Sequence, residues 1–289
     1  MATELVSRKL RQWDGTEDGW RADLPLRAEE TAVEIDASAV RFAVPTFLLR
    51  LRAFVDWHLE HGHSVVVRSP TNPAVANYMA RMRISKGVPG VFKGLPVVSE
   101  SSESSDVLIP VCQLHNADDV EALGEKLIPL FIDFGSDVAV FTDAMHMAIS
   151  ELCGNAVEHG VNPLGCYLAA QRYQGPRKTV LALGDLGIGI PGHMRERFDF
   201  DVDHVALREA IKEGVSGTGE AHRGNGFYWV MKEARAALIR RATLDLRSGR
   251  GRLLQVAKAQ PSRLTTRSTV APYKIGTWAT FELGPLTSV

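Results

Sequence analysis

The first third of the chain alternates short apolar runs with stretches in which apolar residues recur at helical spacing. The run AVEID at 32–36 predicts a strand, and apolar residues at three- and four-residue steps through 47–62 predict a helix that ends at Gly62. A second apolar run at 64–68, SVVVR, and a second helical pattern at 74–84 follow. This order of strand, helix, strand and helix predicts a small α/β layer with its helices on one side of a sheet.

A polar segment separates this layer from the rest of the chain. The residues SESSESSD at 99–106 include no apolar side chain, so their burial could not offset the entropy lost on ordering. They predict a linker between a first domain at 32–98 and a second domain at 107–289. Residues 1–31 show no sustained hydrophobic period and are interpreted as an N-terminal arm.

The second domain also mixes strands and helices. Its apolar patterns predict one strand, two helices, two strands, a glycine-rich region to Gly226, another helix and three final strands. The polar stretch QPSRLTTRSTVAPYK at 260–274 predicts a surface loop before the last strand. The predicted strands read VLIPVCQL, CYLAAQRYQ, TVLALGD, TLDLRS, LLQVAKA and TWATFEL.

Composition and charge narrow the class of protein. The 289 residues are 45% hydrophobic, which supports a buried core, and 33 basic side chains nearly balance 34 acidic ones. Bulk electrostatics therefore favours neither nucleic acid nor an anionic membrane as the main partner. The 3 cysteines are scattered, as expected in a reducing compartment, and no apolar run reaches the ~18 residues of a membrane helix. We expect a cytoplasmic protein.

A polar stripe runs along the helix predicted around ELCGNAVEHG. Glu151, Asn155 and His159 lie at four-residue steps, so a helix places them on one face. Small and apolar residues flank this stripe and favour a face that lines a cavity, although a solvated helix face is the alternative. At the helix end, His159 can complement the helix dipole as readily as it can contact a phosphate.

A second polar group follows a strand that is otherwise apolar. Asp185 ends the pattern LALGD, and Gly187 and Gly189 come directly after it. A carboxylate at this place can accept a hydrogen bond from an amino group, and glycines let a ligand approach the backbone closely. Adenine carries an amino group where guanine has a carbonyl oxygen. The same glycines spell GxGxxG with Gly192, but Pro191 and the nearby carboxylate disfavour a dinucleotide site.

Glycines are also dense at 213–226, within EGVSGTGEAHRGNG, immediately before a predicted helix. The amides at that helix start could hold phosphate oxygens beneath a mobile loop, whereas an ordinary surface loop is the alternative. The sequence contains no GxxxxGK[ST] motif, which excludes a P-loop.

These blocks, in this order and with a final GTWATFEL, resemble the GHKL superfamily of ATP-binding domains. ELCGNAVEHG is similar to its N box, DLGIGIP to its first glycine box and RGNGF to its second. The resemblance implies a Bergerat α/β sandwich with helices on one face of a mixed sheet, binding ATP and Mg²⁺. The nucleotide-binding residues that it implies are Asn155, Asp185, Gly187, Gly189, Ile190, Arg223, Gly224, Gly226 and Thr277.

The resemblance also implies a role for each group of residues. Asn155 would ligate Mg²⁺ through its side-chain oxygen. Asp185 would recognise adenine with support from Thr277 on the last strand. The first glycine box would shape the adenine pocket, and the segment from Arg223 to Gly226 would form a lid over the phosphates.

Within the superfamily, the motif is most similar to anti-sigma-factor serine kinases, whose N box also ends in histidine and glycine. Glu151, one turn before Asn155, would then activate the attacking hydroxyl as the catalytic base. This implies a serine/threonine protein kinase in a partner-switching system, with a protein partner such as an anti-sigma antagonist or a sigma-like factor, and it leaves room for a homodimer. The alternatives are an ATP-gated conformational ATPase, in which Glu151 activates water, and a non-catalytic ATP-dependent interaction protein.

The first domain resembles STAS domains over residues 32–90, through its strand and helix alternation. STAS antagonists carry a phosphorylated serine in a strand-to-helix turn. The corresponding stretch here is AVPTF, in which Pro45 cannot accept phosphate and Thr46 offers the only hydroxyl. Further along, His58, His61 and His63 have a spacing that could hold a metal, but no acid or cysteine completes the ligand set.

Overall fold

The chain divides into two compact units, residues 1–111 and residues 112–289. The segment 99–106 lies outside the described residues, so the linker stays a prediction. The computed structural model describes residues 5–9, 32–98, 107–116, 118–123, 149–150, 164–173, 178–195, 198–212, 227–228, 231–232, 241–258 and 263–284.

The first unit contains a parallel sheet with the strand order β1-β2-β3-β4. Strand β2 pairs with β1 from Leu5↔Ala32 onward and with β3 from Ala32↔Ser64 onward. The predicted alternation of strands and helices between residues 32 and 84 is confirmed, whereas β1 was not predicted. The strands are β1 (Leu5–Lys9), β2 (Ala32–Asp36), β3 (Ser64–Arg68) and β4 (Phe92–Lys93), and the helices are α1 (Pro45–Glu60) and α2 (Pro73–Arg81).

Both helices of the first unit begin at a proline. The proline ring of Pro45 and of Pro73 fixes φ near the helical value. The missing N–H group costs nothing at this position, because the first N–H groups of a helix have no acceptor within the helix. The Asn72 side chain caps α2 by accepting a hydrogen bond from the backbone N–H of Ala74 at 3.0 Å. In β3, Val65 and Val67 are buried while their neighbours are exposed, so one face of this sheet lines the core.

The larger sheet has the strand order β5-β6-β7-β9-β8. The pairs β6–β7, β7–β9 and β8–β9 are antiparallel. With its helices, this sheet confirms the predicted α/β class. The strands are β5 (Val107–Leu114), β6 (Cys166–Tyr173), β7 (Lys178–Asp185), β8 (Ala242–Lys258) and β9 (Arg263–Leu283), and the helices are α3 (Gly189–Met194) and α4 (Asp203–Ala210).

Strands β8 and β9 extend beyond the prediction. The patterns TLDLRS and LLQVAKA form one strand, with an irregular register around Gly249. The stretch predicted as a surface loop is strand from Arg263 onward, paired with β8 from Lys258↔Arg263 to Gly251↔Val270. The loop prediction was wrong because β8 supplies the buried residues of this hairpin, such as Leu253, so its partner strand can remain polar.

Both faces of β7 and of the inner part of β9, from Gly276 onward, are buried. Leu183 and Ala279 lie opposite each other on one face, which we call the cleft face, and the ring of Phe227 lies 6.2 Å from that of Phe281 on the same side. On the other face, the indole of Trp278 occupies the space beside Gly184, where a Cβ atom would overlap it. Within the part of the chain that the structure describes, no helix is long and apolar enough to cross a membrane.

Candidate functional site

Three side chains with oxygen atoms and one thiol form a row across the cleft face of the larger sheet. Cys166 on β6 lies opposite Asp185 on β7, and Ser248 on β8 lies opposite Thr277 on β9. Asp185 and Thr277 come one residue beyond the last pair of β7 and β9, Gly184↔Trp278. The antiparallel register therefore brings together residues that are up to about a hundred positions apart in the sequence.

The Asp185 carboxylate is held by the turn that follows it. Its Oδ1 accepts a hydrogen bond from the backbone N–H of Gly187 at 2.7 Å, which closes a turn in which the side chain replaces a backbone carbonyl. Burial raises the pKa of the Asp185 carboxyl from 3.8 to about 6, while the backbone N–H groups of Gly187 and Thr277 act in the opposite direction. At neutral pH the group is mainly ionised, so it is a hydrogen-bond acceptor in a poorly solvated place.

Two glycines let the chain fold closely around this carboxylate. Gly189 and Gly276 have positive φ angles of 73° and 71°, which side-chain-bearing residues rarely adopt. A Cβ atom at Gly276 would overlap the Asp185 carbonyl oxygen, and one at Gly189 would overlap the Ser248 hydroxyl. The turn after β7 and the start of the inner part of β9 are thus in direct backbone contact.

The Ser248 hydroxyl connects three segments. It donates a hydrogen bond to the Gly276 carbonyl oxygen at 2.7 Å and accepts one from the Ile190 backbone N–H at 3.0 Å. Its Oγ also lies 3.4 Å from the Thr277 Oγ1. The serine side chain therefore fixes the start of α3 against the strand that carries Thr277.

These residues border a small cleft that is open to solvent. Cys166, Leu183 and Ala279 provide apolar surface, and Asp185 and Thr277 provide oxygen atoms. The enclosed part of the cleft, about 10 Å³, has room for about one water molecule, so a ring-sized ligand would also occupy the open side of the cleft. An apolar floor with oxygen acceptors at one edge fits a flat heterocycle that donates hydrogen bonds.

A second carboxylate supports the same region from outside. Asp203, at the start of α4, accepts hydrogen bonds from the Arg250 backbone N–H at 2.6 Å and from the Arg195 guanidinium at 2.5 Å. Partial burial favours a higher pKa for the Asp203 carboxyl, but these hydrogen bonds and the nearby arginine charges prevail and hold the pKa below 3.8. Asp203 remains ionised and anchors the irregular segment of β8 that follows Ser248.

The structure gathers five of the nucleotide-binding residues predicted from the sequence. The other predicted residues, Glu151, Asn155, Arg223, Gly224, Gly226 and the neighbouring His159, lie outside the described residues, so their roles stay predictions. The five that lie around the cleft and its adjoining turn are Asp185, Gly187, Gly189, Ile190 and Thr277.

Sequence reasoning missed Ser248, Gly276 and Cys166. Gly276 directly precedes Thr277 in the motif GTWATFEL, and that position could have indicated a close approach of the backbone. Ser248 and Cys166 had no local signal, because only the strand register places them in the row.

The first unit offers two candidate groups from the sequence. Thr46 lies in the first turn of α1 with only 7% of its surface exposed, so a kinase could not reach its hydroxyl in this conformation. The Nδ1 atoms of His58 and His63 lie 2.9 Å apart, and one must carry the proton that the other accepts. Within the described ranges, no three His, Cys, Asp or Glu side chains are arranged to hold a metal ion.

Comparisons with known proteins identify no family. No family model matches the chain, and no curated protein matches it. Among solved structures, the chain is similar to the B-subunit of the DNA gyrase from Myxococcus xanthus, with 11% sequence identity and a TM-score of 0.29. The match covers 58% of this chain and 43% of the gyrase chain, so the chain spans less than half the length of that protein. Similarity at this level establishes no common fold, and the interpretation of the cleft depends on its own geometry.

Proposed function

We propose that the second unit binds MgATP and that Asp185 recognises the amino group of adenine. The supporting observation is the Asp185 carboxylate at the mouth of the cleft, fixed by the Gly187 N–H at 2.7 Å and bordered by Leu183 and Ala279. The apolar floor suits the purine ring, and the carboxylate suits the hydrogen-bond donor on its edge.

The same geometry favours adenine over guanine. A guanine base would present its carbonyl oxygen to the Asp185 carboxylate, and two acceptors facing each other out of water are repulsive. The raised pKa of Asp185, about 6, still leaves the carboxylate ionised at neutral pH, when it can accept but not donate. We therefore expect ATP to bind and GTP to bind much more weakly.

The phosphates and the magnesium ion would be held by residues that the sequence motifs supply. Asn155 would be the protein ligand of Mg²⁺, and the segment from Arg223 to Gly226 would cover the phosphates. When bound, the ion would neutralise charge on the transferring phosphoryl group.

In the proposed reaction, the protein transfers the terminal phosphoryl group of ATP to a serine or threonine of a protein partner. The hydroxyl oxygen of the partner bonds to the γ-phosphorus, the bond from that phosphorus to the bridging oxygen breaks, and ADP leaves. Glu151 would take the hydroxyl proton. The first unit would serve as a docking or regulatory module of STAS type. The order of the three motifs in the sequence supports this finer proposal.

Calorimetry on the full-length chain tests nucleotide binding. ATP with Mg²⁺ is expected to release heat on binding, and Asp185→Asn should weaken that binding about ten- to a hundredfold, the worth of a hydrogen bond to a charged group. Asp199→Asn is the matched control, because Asp199 is an exposed carboxylate in the same unit. No binding of ATP by the wild-type protein, or equal binding by Asp185→Asn, would refute the proposal.

Labelled ATP tests the chemical step. Transfer of label to serine or threonine of a partner, lost in Glu151→Gln while ATP still binds, is the expected result. Release of inorganic phosphate without labelled protein would favour the ATPase alternative. Partner binding that depends on ATP without any turnover would favour a non-catalytic interaction protein.

A further inference from the structure

Ser248 is a fully buried polar side chain beside the cleft. Its exposed fraction is 0%, and its hydroxyl contacts the Gly276 carbonyl, the Ile190 N–H and the Thr277 hydroxyl. The first two contacts are backbone groups with fixed roles, because a carbonyl only accepts and an N–H only donates. These fixed roles determine which hydroxyl donates in the third contact, between Ser248 and Thr277.

A serine hydroxyl has one proton and two lone pairs. Its proton is committed to the Gly276 carbonyl oxygen at 2.7 Å, and one lone pair receives the Ile190 N–H at 3.0 Å. In the remaining contact, the Thr277 hydroxyl at 3.4 Å must therefore be the donor. The contact is long, but within it the Thr277 proton points towards Ser248, and the lone pairs of Thr277 remain for a ligand.

Thr277 lines the cleft together with Asp185. With its proton turned towards Ser248, the threonine presents an acceptor, as the carboxylate does. The polar edge of the cleft then consists of two acceptors and offers no hydroxyl proton to a ligand.

We propose that Ser248 is a positioning residue that makes Thr277 an acceptor and so tunes the cleft for a ligand edge that donates hydrogen bonds. This proposal rests on the proposed function, in which the donor is the 6-amino group of adenine. Ser248 touches no ligand in this scheme and acts only through Thr277 and the backbone of the turn. The ligand class is a 6-aminopurine nucleotide.

The test compares ATP with purine riboside triphosphate, which lacks the 6-amino group. The dissociation constant of purine riboside triphosphate divided by that of ATP measures what the amino group contributes to binding. In Ser248→Ala the Thr277 proton loses its acceptor and can turn towards the ligand, so the ratio should fall about three- to tenfold, the worth of one neutral hydrogen bond. Ser268→Ala, the same chemical change on the outer half of β9, should leave the ratio unchanged.

A double-mutant cycle separates this role from a structural one. Thr277→Val keeps the size of the side chain and removes its hydroxyl, so adding Ser248→Ala should not lower the ratio further. If Ser248 only stabilises the fold, both nucleotides will bind more weakly by the same factor and the ratio will not change, which overturns the proposal. If Ser248→Ala does not fold, Ser248→Cys, a weaker donor of similar size, is measured by the same ratio.

The outcomes also distinguish the two levels of proposal. Binding of ATP by the wild-type chain with an unchanged ratio in the Ser248 variants overturns the role of Ser248 alone. Absence of ATP binding by the wild-type chain overturns the proposed function and the role of Ser248 together.

Discussion

Replacing Asp185 with asparagine is expected to stabilise the second unit while it weakens nucleotide binding. Asparagine has nearly the same size and keeps an oxygen that can accept the Gly187 N–H, the bond that measures 2.7 Å in the wild-type chain. It never ionises, so the folded protein no longer has to keep a charge in a poorly solvated place. Function and stability therefore make opposite demands on this position.

The magnitude follows from the pKa of Asp185, which burial raises from 3.8 to about 6. At 1.36 kcal/mol for each tenfold change in proton affinity, the ionised carboxylate costs the folded state about 3 kcal/mol at pH 7 and above. The new amide N–H groups lack matched acceptors in the protein, which costs about 1–2 kcal/mol at this partly exposed place, so about 1–2 kcal/mol of the gain should remain. In a domain of 150–250 residues this raises Tm by about 2–8 °C.

The sign of the effect depends on pH. Because folding raises the pKa of Asp185, the group favours the folded state below about pH 4, where it is protonated in both states. This contribution is lost as the pH rises through about 6. The gain in Tm of Asp185→Asn over the wild-type chain should therefore be largest at pH 7.5. Near pH 4 the gain should disappear, and the cost of the unmatched amide N–H groups can make the variant less stable than the wild-type chain.

Thermal unfolding followed by circular dichroism at pH 4, 5, 6 and 7.5 measures this difference. The exposed Asp199, changed to asparagine, controls for the loss of one negative charge and should shift Tm little at any pH. A lower Tm for Asp185→Asn at pH 7.5, or a gain of the same size at pH 4, would show that burial does not penalise the carboxylate.

The affinity for ATP should fall up to about tenfold between pH 7.5 and pH 5, because at pH 5 about a tenth of Asp185 is ionised; a flat calorimetric profile would contradict this. Gly276→Ala should lower the free energy of unfolding by well over the ~1–2 kcal/mol of backbone strain alone, because its Cβ would overlap the Asp185 carbonyl. In urea unfolding, the control Gly62→Ala, whose Cβ meets open space, should cost only the strain. Asp203→Asn should destabilise the protein by about 1 kcal/mol at pH 7, whereas Asp185→Asn should stabilise it, and the loss should shrink below pH 4. An equal loss of stability at pH 3 would show that the Asp203 anchor does not depend on its charge.

The parts of the fold that the sequence predicted are those with a strong local pattern. Helix α1 was predicted because its apolar residues repeat at helical spacing, and Gly62, with its positive φ of 75°, follows its end. The position of Asp185 was predicted because the apolar strand before it and the glycines after it leave little choice of local structure. Both signals act within about twenty residues of the chain.

The parts that escaped prediction are stabilised by contacts between distant segments. Strand β1 pairs with β2 through the backbone, from Leu5↔Ala32 to Lys9↔Asp36, and backbone pairing leaves no mark in the side-chain pattern. The outer half of β9 is polar and resembles a loop until β8 is placed beside it. Ser248 belongs to the site only because the register sets it opposite Thr277.

The indole of Trp278, 5% exposed, has a spectroscopic consequence. Its ring lies on the reverse face from the cleft, in the space beside Gly184, while Thr277 next to it in the chain borders the cleft. A ligand in the cleft therefore does not touch this ring, and a change in its emission on binding would reach it through the sheet. In a chain whose other four tryptophans are replaced, fluorescence of Trp278 would report strain in the sheet without any attached dye.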